Sequence, residues 1–394
     1  MTSTRDDLNA FLDYPPIDVP HAATGPLAGL TLGVKDIYDV AGHPTGGGNP
    51  EFPGALKMAT ATAPSVQKLL DAGARYVGKT QTEELTFSLM GQNVHFPHPV
   101  NPKARDRVTG GSSSGSAAAV AGGLCDIATA SDTGGSVRGP ASFCGLIGLR
   151  ATHGRLSLEK AMPLAPSLDV FGWYAKDATT YEKVADVMLG EASVTLPAMR
   201  PLRLASFDAL VLGPDEAAEY ARMVAVVESV LGAAKEAPAL SFSVDELYSM
   251  FRRIQAYEAW AVHGDFVSKT RNMDPAVRAR FEFGKTLGCE VATQETKKRS
   301  EFRAELEALL GENGLLILPT MPGAAPKSAS TGDQLLDYRE RALRLLCLSG
   351  LSGLPQITIP LGTVHGAPFG ISLIGPRNFD RALVALATRI MDAA

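Results

Sequence analysis

Apolar positions along the chain recur with two alternating periods. Short runs rich in β-branched and apolar residues, at 30–34, 75–77, 127–130, 170–174, 315–318, 356–359 and 370–373, read as buried strands. Between them lie stretches with helical spacing. Residues 65–72 place Val66, Leu69 and Leu70 on one face, residues 82–90 read as a second helix, 117–122 as an Ala-rich one, and 382–391 as the last. This alternation predicts an α/β fold rather than separate helical and sheet halves. The section from 217 to 313 differs in texture, being long, charged and mostly helical, and its Lys297, Lys298 and Arg299 read as a solvated face. No repeat or low-complexity linker interrupts the 394 residues. The expected organisation is one domain over 1–394, with a more variable helical section at about 204–313.

Composition narrows the function classes. Apolar residues make up 45% and charged residues 20%, a balance that permits a sizeable core and excludes disorder. With 37 Lys and Arg against 42 Asp and Glu, the net charge of −5 gives no support for nucleic acid or an anionic membrane as partner. Cys125, Cys144, Cys289 and Cys347 are far apart, without zinc spacing, and each sits among apolar or small neighbours. They read as buried reduced thiols, with no metal site expected. The first fourteen residues carry Arg5, Asp6 and Asp7 and no apolar run, and the longest uncharged stretch, 345–376, is broken by Gly and Pro. A cytoplasmic protein acting on a small molecule is expected, with a homodimer left open.

Three motif matches fail on context. Gly73-Ala-Arg-Tyr-Val-Gly78-Lys79-Thr80 fits the phosphate-loop pattern of ATP-binding proteins, but a helix precedes Gly73 and strand-like Tyr76 and Val77 occupy the loop. Gly111-Ser-Ser113-Ser-Gly115 fits the nucleophile elbow of α/β-hydrolase esterases, which needs a hydrophobic strand running into it. A polar loop stands there instead, and His153 and His365 lack a compelling setting as partner. Asp132-Thr133-Gly134 occurs once, whereas aspartic-protease chemistry needs two such carboxylates.

The chemistry concentrates between Gly110 and Ser157, a dense array of small residues around several hydroxyls. Thr133-Gly134-Gly135-Ser136 has the freedom to aim successive backbone N–H groups at one point, as an oxyanion hole requires. Taken alone, such a loop equally suits close packing. The stretch resembles the signature of the Ser-cisSer-Lys amidohydrolases, the amidase signature family. The likeness extends to Gly33-Val-Lys35-Asp36, Leu315-Leu-Ile-Leu-Pro-Thr320, Gly353-Leu-Pro, Pro360-Leu-Gly and Gly366-Ala-Pro-Phe-Gly370-Ile-Ser-Leu-Ile-Gly375.

The resemblance implies an α/β/α sandwich with a large mixed sheet covered by helices on both faces. It also implies a triad in which Ser136 is the nucleophile, Ser112 a proton relay across a cis peptide bond, and Lys35 the base. A lysine can act as base only when neutral, and burial behind the apolar strand at 30–34 is a plausible means to that end. The N–H groups of Thr133, Gly134, Gly135 and Ser136 are the implied oxyanion donors, and Asp132 the acceptor that holds their loop. Arg138 is either a structural ion pair or a substrate contact, and Ser113 has the same two alternatives. Ala130-Ser131 and Ser114 depart from the family's usual Gly-Thr and Gly, away from the triad positions. The compact length and the words Gly48-Asn-Pro50, Ala61-Thr-Ala-Pro-Ser65 and Leu348-Ser-Gly-Leu-Ser-Gly353 are similar to those of the plant-type indole-3-acetamide hydrolases and their bacterial relatives. The expected activity is cofactor-free hydrolysis of a small primary amide through an acyl-enzyme. An amidotransferase A-type subunit and a non-catalytic scaffold are the alternatives.

Overall fold

The computed structural model describes residues 6–190 and 198–394, so Arg5 lies outside the described residues. The first half runs β1 (Thr31–Lys35), α1 (Pro64–Asp71), β2 (Arg75–Thr80), α2 (Ser114–Ala121), β3 (Ile127–Asp132), α3 (Arg138–Cys144), β4 (Gly148–Arg150), β5 (Val170–Ala175) and α4 (Ala178–Leu189). The second half runs β6 (Arg200–Arg203), α5 (Ala205–Asp208), α6 (Pro214–Leu231), β7 (Lys235–Glu236), α7 (Val244–Lys269), α8 (Pro275–Lys285), α9 (Cys289–Leu310), β8 (Gly314–Pro319), α10 (Gly332–Ser352), β9 (Gln356–Val364), β10 (Ala367–Ile374) and α11 (Asp380–Asp392).

The architecture is the expected mixed α/β one, with its strands hydrogen-bonded into two sheets. One has the order β2-β1-β3-β5 and the other β4-β9-β10-β8-β6-β7. In the first, β1 runs parallel to both neighbours and β5 closes it antiparallel. β3 is buried along its whole length, as expected for a parallel-sheet strand covered on both faces. Its cover is α2, whose Ser, Gly and Ala residues let the helix lie close. A Cβ on Gly115 would fall 2.3 Å from the Ala10 carbonyl oxygen, so only glycine fits there. Parallel register pairs Gly33 with Ala128 and therefore brings the C-terminal ends of β1 and β3 side by side. Lys35 ends β1, and Asp132 ends β3 immediately before the Thr133-Gly134-Gly135-Ser136 turn. The carboxyl ends of such strands are where α/β folds place ligands.

Several expectations need correction. Residues 82–90 form no helix beyond a single 3-10 turn at Glu84–Thr86, with left-handed φ at Leu85 (43°) and Thr86 (58°). Their backbone groups bond to distant segments instead, Glu83 N–H to the Ser112 carbonyl and Leu85 N–H to that of Gly47. Arg299 belongs to no solvated face. It is 6% exposed and donates to the carbonyls of Ser167, Gly350 and Leu351, pinning α9 to the loop before β5 and to the end of α10. Cys289 is exposed because it starts α9 at a surface corner, whereas the other three cysteines are buried. From the helical section, Phe251 of α7 lies where a Cβ on Gly134 would have to go, and Leu346 of α10 does the same at Gly135. Among the described residues, no helix is long and apolar enough to cross a membrane.

In the phosphate-loop match at 73–80, Gly73 and Ala74 form the turn after α1 and the rest is strand β2. Lys79 is 1% exposed and donates to Asp36 (3.0 Å) and to the Tyr38 carbonyl (2.7 Å), an internal role that leaves nothing to cradle a phosphate. Lys79→Ala leaves the Asp36 carboxylate buried without its partner. The expected cost is about 3–5 kcal/mol of stability in a denaturant titration, and no nucleotide affinity is expected in the parent protein to be lost.

Candidate active site

Lys35 is fully buried, and its Nζ lies 2.8 Å from Ser112 Oγ, 2.9 Å from Ser113 Oγ and 2.9 Å from Ser131 Oγ. No carboxylate pairs with it among the described residues. Burial pulls its pKa down to about 7, against the opposing pull of Asp132, Asp169 and Glu83. The peptide bond between Gly111 and Ser112 is cis. Ser112 is held on its backbone side, where its carbonyl accepts from the Glu83 N–H (3.1 Å) and from Thr82 Oγ1 (3.0 Å). Ser131, one of the departures from the family pattern, touches the lysine directly, which corrects the expectation that it stands apart from the triad positions. Ser113 Oγ sits between Lys35 and the Ser131 carbonyl, to which it donates (3.3 Å). His153 Nε2 lies 3.0 Å from the Pro166 carbonyl, and His365 pairs with Asp215 at the surface, so neither serves Ser113 as an elbow partner.

The turn after β3 is shaped by one carboxylate. Asp132 Oδ1 accepts from the Gly135 N–H (2.8 Å), and Oδ2 accepts from those of Val137 (3.2 Å) and Arg138 (3.4 Å). Gly135 has φ 119°, a conformation that favours glycine. Its N–H is thereby committed to Asp132. That removes it from the four implied oxyanion donors and leaves those of Thr133, Gly134 and Ser136.

Arg138 is fully buried. It grips Asp132 through Nε and Nη2, both at 2.9 Å, and donates from Nη1 to the Leu346 carbonyl and to Gln356 Oε1. This geometry fits the structural alternative for Arg138. Arg150, which the sequence did not single out, adds a second buried guanidinium at 2.9 Å. The two arginines hold the Asp132 carboxyl well below the usual carboxylate range despite its burial.

Two cavities lie near the glycine turn, one at Thr133 and the other reached past Ser136, which is itself 5% exposed. The first, about 280 Å³, is walled by Ile37, Leu158, Met162, Leu164 and Pro166, with Ser131, Thr133 and Asp169 at its polar end. Asp169, also unanticipated, accepts from Thr133 Oγ1 and from the N–H groups of Leu164 and Ala165, and burial lifts its pKa to about 6. The second begins as a narrow neck bordered by Ser136, Gly134, Thr86, Gln255, Arg339 and Leu343. Adjoining it, with Phe87, Gln255, Arg339 and Leu343 common to both walls, is a space of about 220 Å³ between α7, α8 and α10. Thr86 lines both the first cavity and the neck. Among the described residues, no group of three or more His, Cys, Asp or Glu is placed to hold a metal ion.

A buried lysine among serine hydroxyls, beside a glycine turn, has the chemistry to supply a base, a nucleophile and backbone N–H donors. Comparison with known proteins agrees. A model of the family described as Amidase matches residues 16–384. Amidase 1 of Oryza sativa subsp. japonica is 35% identical over 410 aligned residues, covering 96% of this chain and 94% of its own. Amidase 1 of Arabidopsis thaliana is 36% identical, with 98% of each chain covered. A crystal structure of an amidase superposes with a TM-score of 0.84 at 28% identity, over 94% of this chain and 85% of that one. The chain belongs to the amidase signature family and is a hydrolase of carbon–nitrogen bonds.

The folded protein holds Lys35 near a pKa of about 7, whereas an unfolded chain would restore about 10.5. Between those values the unfolded state binds more protons, so this lysine's contribution to folding becomes more favourable as pH rises. Relative to Lys35→Met, the parent protein should therefore gain stability from pH 7 to pH 10. The slope should approach about 1.4 kcal/mol per pH unit at most, measured by paired denaturant titrations.

Proposed function

We propose that the protein hydrolyses small primary amides, arylacetamides of the indole-acetamide kind among them, to a carboxylate and ammonia through a Ser136 acyl-enzyme. The observation that carries this reading is the environment of Lys35. Its three close partners suit a neutral amine, which has two N–H donors for Ser113 and Ser131 and one lone pair for the Ser112 hydroxyl.

From that state, Lys35 takes the Ser112 proton as Ser112 takes that of Ser136, and Ser136 Oγ attacks the carbonyl carbon. Charge developing on the carbonyl oxygen meets the N–H groups of Thr133, Gly134 and Ser136, in a turn that Asp132 holds through the N–H groups of Gly135 and Val137. Collapse of the adduct breaks the C–N bond. The proton held at Lys35 passes back through Ser112 to the departing nitrogen, and water then attacks the acyl-enzyme by the same relay. The apolar cavity beside Thr133 suits an aryl group. The similarity to plant Amidase 1 supports amide hydrolysis as the reaction class.

Because the base must be unprotonated, activity should fall on the acid side with an apparent pKa near the value of about 7 for Lys35. A fluorophosphonate probe should label Ser136, and Ser136→Ala should form no acyl-enzyme. Ser112→Ala and Lys35→Ala should each lower kcat by about 10³-fold or more, and the double variant should be hardly worse than either single one. Ammonia release from a panel of amides at pH 6 to 9 measures the rates, and mass spectrometry of the protein locates the probe and any acyl group. Full activity of Lys35→Ala at pH 7 overturns the lysine-base mechanism.

A further inference from the structure

The second cavity carries an electrostatic feature that a neutral amide does not use. Three arginines, Arg252 from α7, Arg280 from α8 and Arg339 from α10, line it together, and Arg339 also borders the neck that leads to Ser136. Each is fixed by its neighbours. The Arg252 guanidinium lies 4.7 Å over the Phe283 ring, and Arg280 Nη1 donates to the Phe87 carbonyl (2.7 Å). Arg339 is 9% exposed, and its Nη1 donates to Glu340 at 3.2 Å. Its Nε has no hydrogen-bond partner among the described residues.

The neighbouring carboxylates leave this positive charge largely uncompensated. Glu340 also accepts from the Tyr248 hydroxyl and feels Arg344. Glu83, fully buried, is occupied by the N–H groups of Gly91 and Gln92. Asp274 acts on Arg280 while capping the start of α8. Burial and the charges of Arg280 and Arg252 together push the Arg339 pKa well below its ordinary value, as expected where like charges converge away from water. A buried guanidinium crowded by two others at the wall of one cavity is stabilised by an anion bound among them.

We infer that the substrate carries a carboxylate, bound by Arg339, Arg280 and Arg252 in the cavity next to Ser136 while the amide carbonyl sits at the glycine turn. The inference rests on the acyl-enzyme chemistry proposed above and goes beyond its uncharged primary amides to an amide that carries an anion. The carboxylate belongs either to the acyl part, as in the half-amide of a dicarboxylic acid, or to the amine part, as in an N-acyl amino acid. In both cases water is consumed and one C–N bond is broken. The first gives a dicarboxylate and ammonium, the second a carboxylate and a free amino acid.

The test is isothermal titration of Ser136→Ala protein with three probes of similar size. These are two carboxylated probes, 4-carbamoylmethyl-benzoate and N-(phenylacetyl)glycinate, and the uncharged N-methylphenylacetamide. At least one carboxylated probe should bind about tenfold or more tighter than the uncharged one, and whichever does so identifies the part of the substrate that faces the arginines. Adding Arg339→Met should abolish that preference. Arg252→Gln, at an exposed position where refolding is no concern, should reduce it in the same direction and steepen no salt dependence. Equal binding of all three probes, or a preference that survives both substitutions, overturns the inference. Turnover of amides by the parent protein is read separately. An enzyme that hydrolyses amides but fails the titration loses only the carboxylate site, whereas one that binds carboxylates through Arg339 but hydrolyses no amide loses only the catalytic reading.

Discussion

A single buried carboxylate organises the catalytic end of this molecule. Asp132 closes β3 with no exposure to water, and two guanidinium groups and three backbone N–H groups converge on it. Through Arg138 it reaches the Leu346 carbonyl on α10 and Gln356 on β9, and through Arg150 it reaches the end of β4 and the Leu168 carbonyl. The two hydrogen-bonded sheets are therefore joined, at their meeting point, by ionic contacts in a medium that screens them poorly. Burying such a cluster earns little net stability, because desolvation offsets much of the attraction. What it does secure is one conformation of the glycine turn, since any other would leave buried charge unmatched.

Two lysines in adjacent strands illustrate how local partners decide what a buried cation does. The register pairs Val34 with Lys79 and Lys35 with Thr80, so the two side chains start from neighbouring positions. Lys79 meets Asp36, whose other oxygen accepts from the Tyr14 hydroxyl and the Gly46 N–H, and the pair ties strands to loops. Lys35 meets only hydroxyls. The same residue type thus serves as a structural ion in one strand and as a group near its titration point in the next.

Much of the fold and of the site was legible because it rests on local pattern. The buried strands announce themselves by apolar runs, and the run from Gly110 to Ser157 carries the motif residues in order. The misses have physical reasons. Residues 82–90 have helical spacing, but their backbone hydrogen bonds are satisfied by remote segments, which no local period reports. Helix α10 was missed although Thr331 and Gln334 form a capping box ahead of a periodic apolar face, a signal that was present and unused. Ser131, Arg150 and Asp169 enter the site only through tertiary contacts, as do the arginines of the second cavity, which three separate helices contribute. Arg299 looked solvated beside Lys297 and Lys298, because a sequence does not show which turn of a charged helix faces carbonyl groups.

The irregular backbone at Leu85 and Thr86 places Thr86 between the first cavity and the neck at Ser136, in the wall of both. Neither the Lys35 cluster nor the Asp132 network draws on the side chains of this short partition. Its contour can therefore drift in evolution, or be redrawn in the laboratory, while the reacting groups stay where they are. Widening it would merge an oily chamber and a cationic one into a single trough; thickening it would close one of them. A few residues that belong to no regular element thus act as the adjustable aperture of an otherwise rigid instrument.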